Sequence, residues 1–446
     1  MKGMVVFMCK NKKRIYRLLL VIAIALDIGL ITLLMNQYVD SQIPDKIKLI
    51  AGEEAGFTFD LPATMEFSEN SIEVISSEIN GLEVANGNRA VRNKIISAKE
   101  SKEGSYTADI KMFGLFKIKS VDVEVIEDKR LIPLGVPVGI YIETNGLLVL
   151  GAGEIKDEYG MVSSPAENIV KAGDYIVEVE NQTVTTQKSM MEIIDNSKKD
   201  NVLMKVRRGD EYINVKISKV RTKDGEYKLG IWVRSDMQGI GTMTYVDDAG
   251  DFAALGHGIN DMDTNVLMTI DYGTLYTSNI SHIVKGLDGI PGQMVGSINY
   301  DNACRLGKIE GNNENGIYGN MEEAAVNKIM SGEIIEKKSS NALEYMEIGL
   351  KQNIKVGKAT IISAVDGDLR EYEVEIESID INDDGNKGMV LKVTDESLLN
   401  ITGGIVKGMS GSPIIQGGKI IGAVTHVLIN DPTRGYGIFI ENMLGH

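Results

Sequence analysis

The feature that most constrains this chain is an apolar segment near its N-terminus. Residues Ile15–Met35 are apolar except at Tyr16, Arg17, Asp27 and Thr32. A helix of about 21 residues, rising ~1.5 Å per residue, matches a hydrocarbon core of ~30 Å. The first 14 residues hold several lysines and no acidic residue, which is typical of a cytoplasmic flank. Residues 1–36 are therefore predicted to form a cytoplasmic flank and a signal-anchor helix, with the rest of the chain extracytoplasmic.

A cleaved signal peptide is the alternative interpretation of this segment. Its apolar region would be Leu18–Leu26, but the small residues Ala23 and Ala25 lie inside that run rather than after it. That position favours an uncleaved anchor. Asp27, near the middle of the segment, is either protonated, paired with a partner helix, or an argument against a true membrane span.

Length, charge and cysteine content exclude several functions. At ~150 residues per domain, 446 residues predict about three domains. The formal charge of −16 disfavours nucleic acid as a partner. Cys9 and Cys304, predicted on opposite sides of the membrane, exclude a disulfide framework, a cysteine-rich zinc site and an iron–sulfur cluster. No metalloprotease, phosphate-loop or dinucleotide motif is present, so neither a metal nor another cofactor is expected.

Two segments after the anchor have the alternating pattern of β domains. Residues 46–127 hold short strand-like runs and no concentration of chemically active residues, which predicts a small β domain that acts as a spacer or docking module. Residues 131–220 hold a glycine-punctuated loop from Leu134, then Gly173-Asp174 before a strand, an amphipathic stretch at Gln187–Asn196, and a strand pair joined at Gly209. This second segment resembles a PDZ domain.

The PDZ resemblance implies that a peptide binds by adding a strand to a sheet edge. The backbone N–H groups of Leu134, Gly135 and Val136 would then hold the peptide. The loop departs from the usual glycine-rich pattern at Pro137, which has no N–H donor, and this puts ordinary C-terminal binding in doubt. A β domain without a ligand is the alternative.

The last segment, residues 229–446, is predicted to be a β barrel or sandwich, because strand-like runs recur there at short spacing. His257 lies between two glycines after the apolar run Phe252–Leu255. The segment Gly408–Pro413, Gly-Met-Ser-Gly-Ser-Pro, places a hydroxyl in a sharp turn where backbone N–H groups can converge on an oxyanion. The non-catalytic interpretations are that His257 is a structural histidine and that Gly408–Pro413 is a glycine-rich hairpin.

These two motifs together carry a family resemblance. Gly408–Pro413 resembles the Gly-Asp-Ser-Gly-Gly-Pro loop of chymotrypsin-like serine proteases, and Ala254–His257 resembles their histidine turn. With the flanks Gly403–Lys407, Ile420–Val427 and Asn430–Gly437, and with the preceding PDZ-like segment, residues 131–446 are similar to the stage IV sporulation protein B peptidase family. The resemblance implies a mainly β protein: a transmembrane helix, a small β domain, a PDZ domain and a chymotrypsin-like double β-barrel serine peptidase domain.

The resemblance also implies the roles of single residues. Ser410 would be the nucleophile, with Ser412 as the competing hydroxyl, and His257 the general base. The N–H groups of Gly408 and Ser410 would form the oxyanion hole. Asp395 matches the family's acidic position and is preferred as the third member of the triad.

Two other acids and two other histidines are left as alternatives. Asp271 and Asp301 lie where an ordinary trypsin-like enzyme holds its acid, between the two barrels. His426 would lie on the wall of the specificity pocket or simply pack in a strand, and His282 has no predicted role.

The implied function is a signalling peptidase that is exported from the forespore into the intermembrane space. It would process itself, bind its own N-terminal segment through the PDZ domain, and cleave the regulatory partner of an intramembrane metalloprotease, which leads to activation of the late mother-cell sigma factor. The alternatives are a non-catalytic PDZ adaptor with a protease-like scaffold and a general envelope quality-control serine protease.

Overall fold

The computed structural model confirms the mainly β fold class. It describes residues 2–51, 54–56, 63–67, 73–78, 94–99, 104–112, 115–336, 338 and 343–445. The chain divides into two compact units, one up to Asp128 together with Asp380–Asn382, and one that holds the other residues from Lys129 onward. Each unit is described by itself.

The first unit begins with a long helix, α1 (Lys2–Gln42). Within α1, the stretch Leu18–Val39 has a mean hydropathy of 2.8, which is enough to cross a membrane, and its apolar side chains are largely exposed. The predicted apolar helix near the N-terminus is thus present. A membrane anchor and a signal sequence both have this property.

The rest of the first unit is built from short strands. They are β1 (Lys46–Ile50), β2 (Glu54–Gly56), β3 (Ala63–Phe67), β4 (Glu73–Glu78), β5 (Lys94–Lys99), β6 (Gly104–Met112) and β7 (Phe116–Ile126). One sheet has the order β1-β7-β6-β3, and a second has the order β2-β5-β4. Alternate residues of β1, β6 and β7 pack with the end of α1 in a small apolar core.

The second unit contains an N-terminal barrel of six strands and a seventh strand that pairs beside it. These strands are β8 (Arg130–Ala152), β17 (Ile231–Val246), β18 (Asp251–Ala254), β19 (Ile270–Val284), β20 (Gln293–Ile298), β21 (Arg305–Asn313) and β22 (Gly316–Met321). Antiparallel pairings close a ring in the order β8-β17-β18-β22-β21-β19 and back to β8. Val138, Ile142, Met243 and Phe252 are among its buried residues.

The C-terminal barrel follows. Its strands are β24 (Gly357–Ser363), β25 (Arg370–Ile379), β26 (Met389–Val393), β27 (Pro413–Gln416), β28 (Lys419–Leu428) and β29 (Asp431–Phe439). They close in the order β24-β25-β26-β29-β28-β27 around a continuous apolar core. Short elements flank the two barrels: α3 (Glu323–Met330), β23 (Met346–Glu347), α4 (Glu396–Thr402), α5 (Ile440–Met443) and the 3₁₀ turns Asn302–Cys304 and Lys351–Asn353.

A further module lies between β8 and β17 in the chain. It contains β9 (Ile155–Lys156), β10 (Val162–Ser163), β11 (Tyr175–Val179), β12 (Gln182–Thr183), α2 (Gln187–Asn196), β13 (Asn201–Arg208), β14 (Glu211–Ser218), β15 (Val220–Arg221) and β16 (Tyr227–Lys228). Its sheet has the order β14-β13-β11-β8-β17, and α2 buries Met190 and Ile194 against it. We call it the PDZ module, since strands and one amphipathic helix follow in the expected order.

Gly173-Asp174 has a structural role in this module. Gly173 has a φ of +91°, which a residue with a side chain rarely adopts. The buried carboxylate of Asp174 accepts hydrogen bonds from the Arg208 Nε at 2.7 Å and from the Lys171 N–H at 2.8 Å. The motif therefore fixes the turn before β11 and ties it to β13.

The predicted boundaries of 131–220 and 229–446 need a correction. The first half of β8, up to Thr144, pairs with β17 and β19 in the N-terminal barrel, and only its second half joins the PDZ sheet. The two halves of β8 are continuous in sequence, so the sequence pattern does not separate the barrel strand from the PDZ module that follows it. The PDZ module is therefore an insertion within the barrel.

Candidate active site

His257 follows a sharp turn at the end of β18. Leu255 and Gly256 have φ values of +72° and +68°, and the positive value at Leu255 is strained for a residue with a side chain. A Cβ on Gly256 would lie 2.9 Å from side-chain methyls of Thr425 and Ile438. The histidine turn of the N-terminal barrel thus packs directly against the C-terminal barrel.

The His257 ring is held by the backbone of the next residue, Gly258. Its Nδ1 lies 2.9 Å from the Gly258 carbonyl oxygen, so this nitrogen carries the proton and Nε2 is the basic nitrogen. The ring is half-buried, and burial lowers the pKa of His257 although the bond to Gly258 opposes this. A neutral imidazole with a free Nε2 is the form that a general base requires.

The segment Gly408–Ser412, the nucleophile loop, is fixed by Thr242 of β17. The Thr242 N–H donates to the Ser410 carbonyl oxygen at 3.0 Å, and the Thr242 Oγ1 donates to the Gly408 carbonyl oxygen at 2.7 Å. Gly411 has a φ of +98°, and a Cβ there would lie 2.0 Å from the Thr242 carbonyl oxygen. Only glycine fits this position.

Two backbone donors of the nucleophile loop have no acceptor within the described part of the chain. Among the backbone hydrogen bonds of the described residues, neither the Gly408 N–H nor the Ser410 N–H is a donor, whereas the Met409 N–H between them donates to the Val406 carbonyl at 3.1 Å. Backbone N–H groups that are left unpaired in a rigid loop can stabilise a developing oxyanion. The structure therefore leaves the two predicted oxyanion donors available.

The two serines of the loop differ in accessibility. Ser410 is half-buried, and its Oγ donates to the Thr425 carbonyl oxygen at 2.6 Å. Ser412 is completely buried, and its Oγ makes no hydrogen bond to the described residues. Ser410 is thus the hydroxyl that a substrate can reach, after rotation away from Thr425.

The structure does not join Asp395 to His257. Asp395 is the N-cap of α4, where it accepts hydrogen bonds from the Leu398 N–H at 3.0 Å and the Ser397 Oγ at 2.5 Å. A carboxylate before a helix is strongly favoured as a cap, and this preference explains its position. Sequence similarity alone could not separate a cap from a catalytic acid.

The two alternative acids also have other surroundings. Asp301 caps a 3₁₀ turn through a hydrogen bond from the Ala303 N–H at 3.0 Å, and Asp271 is exposed on β19. Within the described residues, the partner that orients His257 is therefore the carbonyl of Gly258 and not a carboxylate.

His426 lies beside His257, and His282 does not. The His257 and His426 ring centroids are 4.9 Å apart at an interplanar angle of 37°. Burial, with smaller contributions from His257 and Lys387, lowers the pKa of His426 to about 4, so this ring is neutral near pH 7. His282 is exposed on β19, with its Nδ1 3.2 Å from the Ser281 Oγ.

The proposed peptide-binding loop at Leu134, Gly135 and Val136 also needs a correction. Leu134 and Val136 are buried in the barrel part of β8, where Val136 pairs with Met243. A Cβ on Gly135 would lie 2.6 Å from the Ile362 carbonyl oxygen of the C-terminal barrel. These residues connect the two barrels and cannot receive a peptide.

A groove of the PDZ module lies elsewhere, between α2 and the start of β17. It encloses about 870 Å³ and is lined by residues that include Met190, Met191, Leu229, Ile231 and Trp232. In the described part of the chain, the first residues of β17 pair only with β8, so their other edge is open. We call this segment, Ile231–Arg234, the edge strand. An open edge beside a helix is the geometry for addition of a peptide strand.

Sequence reasoning missed both Thr242 and the edge strand. Thr242 lies in a strand-like run, and nothing local indicates that its hydroxyl reaches a loop that is more than 160 residues away. The Leu229-Gly230-Ile231 segment is a glycine between apolar residues before a strand, which is a usable signal for a peptide-binding loop. The signal coincides with the predicted start of the peptidase domain at residue 229, so the sequence alone does not assign it to the PDZ module.

Comparison with known proteins gives a match to a family model and matches to solved structures, among them two PDZ domains. The family model described as SpoIVB peptidase S55 matches residues 225–444. No curated protein matches the chain. The PDZ domain of an SdrC-like protein from Listeria monocytogenes is 24% identical over 20% of this chain and 87% of its own, with a TM-score of 0.17. The corresponding domain from Listeria innocua is 24% identical over 19% and 93%, with a TM-score of 0.15.

Proposed function

We propose that this chain, whose residues 225–444 match the family model described as SpoIVB peptidase S55, is a serine endopeptidase of that family with Ser410 as its nucleophile. The observation that carries the proposal is the pair of available N–H donors at Gly408 and Ser410. They flank an accessible hydroxyl in a loop that also contacts the strand beside the histidine turn.

The reaction would begin with rotation of the Ser410 side chain. In the resting geometry its Oγ donates to the Thr425 carbonyl oxygen. In the reactive state the Oγ attacks the scissile carbonyl while its proton passes to the Nε2 of His257, and the oxyanion accepts the N–H groups of Gly408 and Ser410. His257 then gives the proton to the leaving amine, and a water molecule, deprotonated by the same nitrogen, hydrolyses the acyl-enzyme.

The role of Asp395 stays a prediction from family resemblance. Its oxygens are engaged at the start of α4, so a catalytic role would require it to leave its cap. A cap is worth about 1 kcal/mol, which is small enough for substrate binding to overcome. In the mechanism proposed here, the Gly258 carbonyl holds the Nδ1–H of His257.

The proposed cellular role follows from the family and from the apolar helix. The helix would anchor the peptidase with its catalytic unit outside the cytoplasm, in the space between the forespore and mother-cell membranes. There it would process itself and cleave the regulatory partner of an intramembrane metalloprotease, so that the late mother-cell sigma factor becomes active. The groove between α2 and the edge strand would bind its own N-terminal segment before release.

Labelling with a serine-directed fluorophosphonate tests the nucleophile. We expect the probe on Ser410 in the wild type and no reaction in the Ser410→Ala variant, whereas Ser412→Ala keeps the reaction. Modification of Ser412 instead would overturn the assignment. Identical fragment patterns from wild type and Ser410→Ala would show that Ser410 is not the nucleophile.

A non-catalytic PDZ adaptor is the second candidate. The resting hydrogen bond of Ser410 to Thr425 and the capping role of Asp395 favour it, because within the described residues neither side chain hydrogen-bonds to His257. An adaptor would bind its partner through the PDZ groove with unchanged affinity in Ser410→Ala and would show neither labelling nor cleavage in the wild type.

A further inference from the structure

Strand β17 belongs to two structures at once. The edge strand at its beginning borders the PDZ groove, and Thr242 near its end holds the nucleophile loop. The pairing of β17 with β8 shifts register at three places, and at the shift between Arg234 and Asp236 the partner on β8 changes from Leu148 to Glu143. Arg234 is therefore the last residue of the PDZ part, at the point where the strand enters the barrel.

Arg234 forms an ion pair with a buried acid close to His257. Its guanidinium contacts the carboxylate of Asp261, which is 0% exposed and lies four residues after His257 in the chain. It also donates to Asp263 at 2.7 Å. A buried carboxylate is stable only when it is paired and hydrogen-bonded, so the position of Asp261 depends on Arg234.

Asp261 organises the residues that follow His257. Its Oδ1 accepts hydrogen bonds from the N–H groups of Asp263 at 3.0 Å and Thr264 at 2.9 Å, and from the Thr264 Oγ1 at 3.0 Å. We call residues 258–269 the histidine loop. The carboxylate fixes the turn in the middle of this loop.

The ends of the histidine loop are held from other elements. The side chain of Asn312 on β21 contacts the N–H of Ile259 at 2.8 Å and the carbonyls of Ile259 and Met268, both at 2.9 Å. The Thr269 N–H donates to the Tyr175 hydroxyl of the PDZ module at 3.2 Å. The loop is thus fixed on one side by the barrel and on the other by the PDZ module.

We propose that Arg234 and Asp261 are positioning residues for His257, through which the edge strand of the PDZ groove becomes part of the catalytic apparatus. The path is short: Arg234 holds Asp261, Asp261 holds the histidine loop, and the first carbonyl of that loop, on Gly258, holds the Nδ1–H of His257. An extended peptide that binds to the edge strand would lie beside Arg234, the last residue of that strand. The inference rests on the proposed function, since it assigns His257 as the base.

The chain offers a matched control. Arg208 also pairs with a buried carboxylate, Asp174, in the same PDZ sheet, and within the described residues neither of these two side chains hydrogen-bonds to the histidine loop. Arg234→Met and Arg208→Met therefore remove similar ion pairs and differ in what the acid holds. Arg234→Lys keeps the positive charge but replaces the two contacts of the guanidinium, to Asp261 and Asp263, with a single ammonium contact. It is the milder variant if Arg234→Met does not fold.

The experiment measures hydrolysis of a short peptide substrate by the full chain in detergent. We expect Arg234→Met to lower kcat by about 10- to 100-fold with KM nearly unchanged, because a misplaced base affects the chemical step. Arg234→Lys should recover part of the loss, and Arg208→Met should stay within about threefold of the wild type at a temperature where all variants are folded. Equal kcat values for Arg234→Met and Arg208→Met would overturn the proposal.

A second measurement does not depend on activity. Nitrogen-15 NMR of histidine side chains reports which ring nitrogen carries the proton. We expect His257 to be protonated at Nδ1 in the wild type and in Arg208→Met, and to show a mixture of tautomers in Arg234→Met. An unchanged His257 signal in Arg234→Met would contradict the inference, whereas absence of Ser410 labelling in the wild type would contradict only the proposed function.

Discussion

The two barrels of the second unit obtain their strands differently. The C-terminal barrel uses strands from one continuous stretch, β24 to β29. The N-terminal barrel takes β8 from before the PDZ module and its other strands from after it. The PDZ module is thus inserted into the barrel that carries His257, and it shares β8 and β17 with that barrel. The barrel that carries Ser410 is closed without it.

The two halves of the candidate site differ in the same way. The nucleophile loop is fixed by backbone and threonine hydrogen bonds and by glycines that accept no side chain. His257 depends on a single carbonyl, and the loop behind that carbonyl is tied to the PDZ module by Arg234 and Tyr175. The difference indicates that the backbone of the nucleophile loop is preformed, although the Ser410 side chain must rotate away from Thr425, while the position of His257 is the part of the candidate site open to control.

Among the changes that test this difference between the barrels, removal of β8 should have the largest effect on the stability of the second unit. A chain that begins at Gly225 keeps the whole segment matched by the family but lacks the strand between β17 and β19. We expect no cooperative unfolding transition, because the open barrel exposes its apolar interior and unpaired strand edges. Thermal unfolding followed by circular dichroism measures this.

The control is a chain that begins at Lys129, which keeps the whole second unit together with Asp380–Asn382, three residues that are grouped with the first unit. It should unfold in a cooperative transition. If the shorter chain also unfolded cooperatively and reacted with a fluorophosphonate, β8 would not be an essential barrel strand.

The sequence predicted the motifs of this molecule better than its boundaries. The apolar helix, the β-rich domains, His257 and the nucleophile loop have local patterns, and each could be predicted from a few adjacent residues. The shared strand could not, because β8 reads as one continuous run, and its barrel half pairs with residues at least 93 positions away, the separation between Glu143 and Asp236. The contact of Thr242 with Gly408 and the capping role of Asp395 are likewise properties of the folded chain.

Substitution of Gly411 should have the next largest effect on the free energy of unfolding, and it should also affect labelling. Gly411→Ala places a Cβ 2.0 Å from the Thr242 carbonyl oxygen at a φ of +98°, so the nucleophile loop must move. We expect a loss of more than about 3 kcal/mol in the free energy of unfolding and loss of fluorophosphonate labelling. Denaturant unfolding and the labelling rate are the measurements.

Gly417→Ala is the matched control, since Gly417 has a φ of +60° but open space around its Cβ position. It should cost only about 1 to 2 kcal/mol and keep the labelling. Similar losses in both variants would show that the backbone conformation, and not the contact with Thr242, determines the effect.

The side chain of Thr242 should have a smaller effect. Thr242→Val preserves the shape and the backbone hydrogen bonds but leaves the Gly408 carbonyl without its donor, at a cost of about 1 to 3 kcal/mol. If that energy fixes the oxyanion donors, kcat falls by about 10- to 100-fold while KM changes little. Steady-state kinetics on a short peptide substrate measures both constants.

Thr244→Val controls for the loss of a hydroxyl in the same strand. Thr244 is completely buried, and its Oγ1 makes no hydrogen bond to the described residues, so valine should be neutral or stabilising there. A fall in kcat for Thr244→Val as large as for Thr242→Val would mean that the hydrogen bond to Gly408 has no special role.

The pH dependence should show the smallest effect and tests the histidine half of the site. Because burial lowers the pKa of His257 below its ordinary value of 6.5, the neutral base persists to lower pH than in an exposed histidine. His426, whose pKa is about 4, stays neutral across this range and adds no charge beside it. We therefore expect kcat/KM to fall by clearly less than about 1.8-fold between pH 7.5 and 6.5, since about 1.8-fold is the fall for a base whose pKa has the ordinary value of 6.5. An acid limb centred at or above pH 6.5 would show that His257 is more exposed in the working enzyme, or that a carboxylate approaches it when substrate binds.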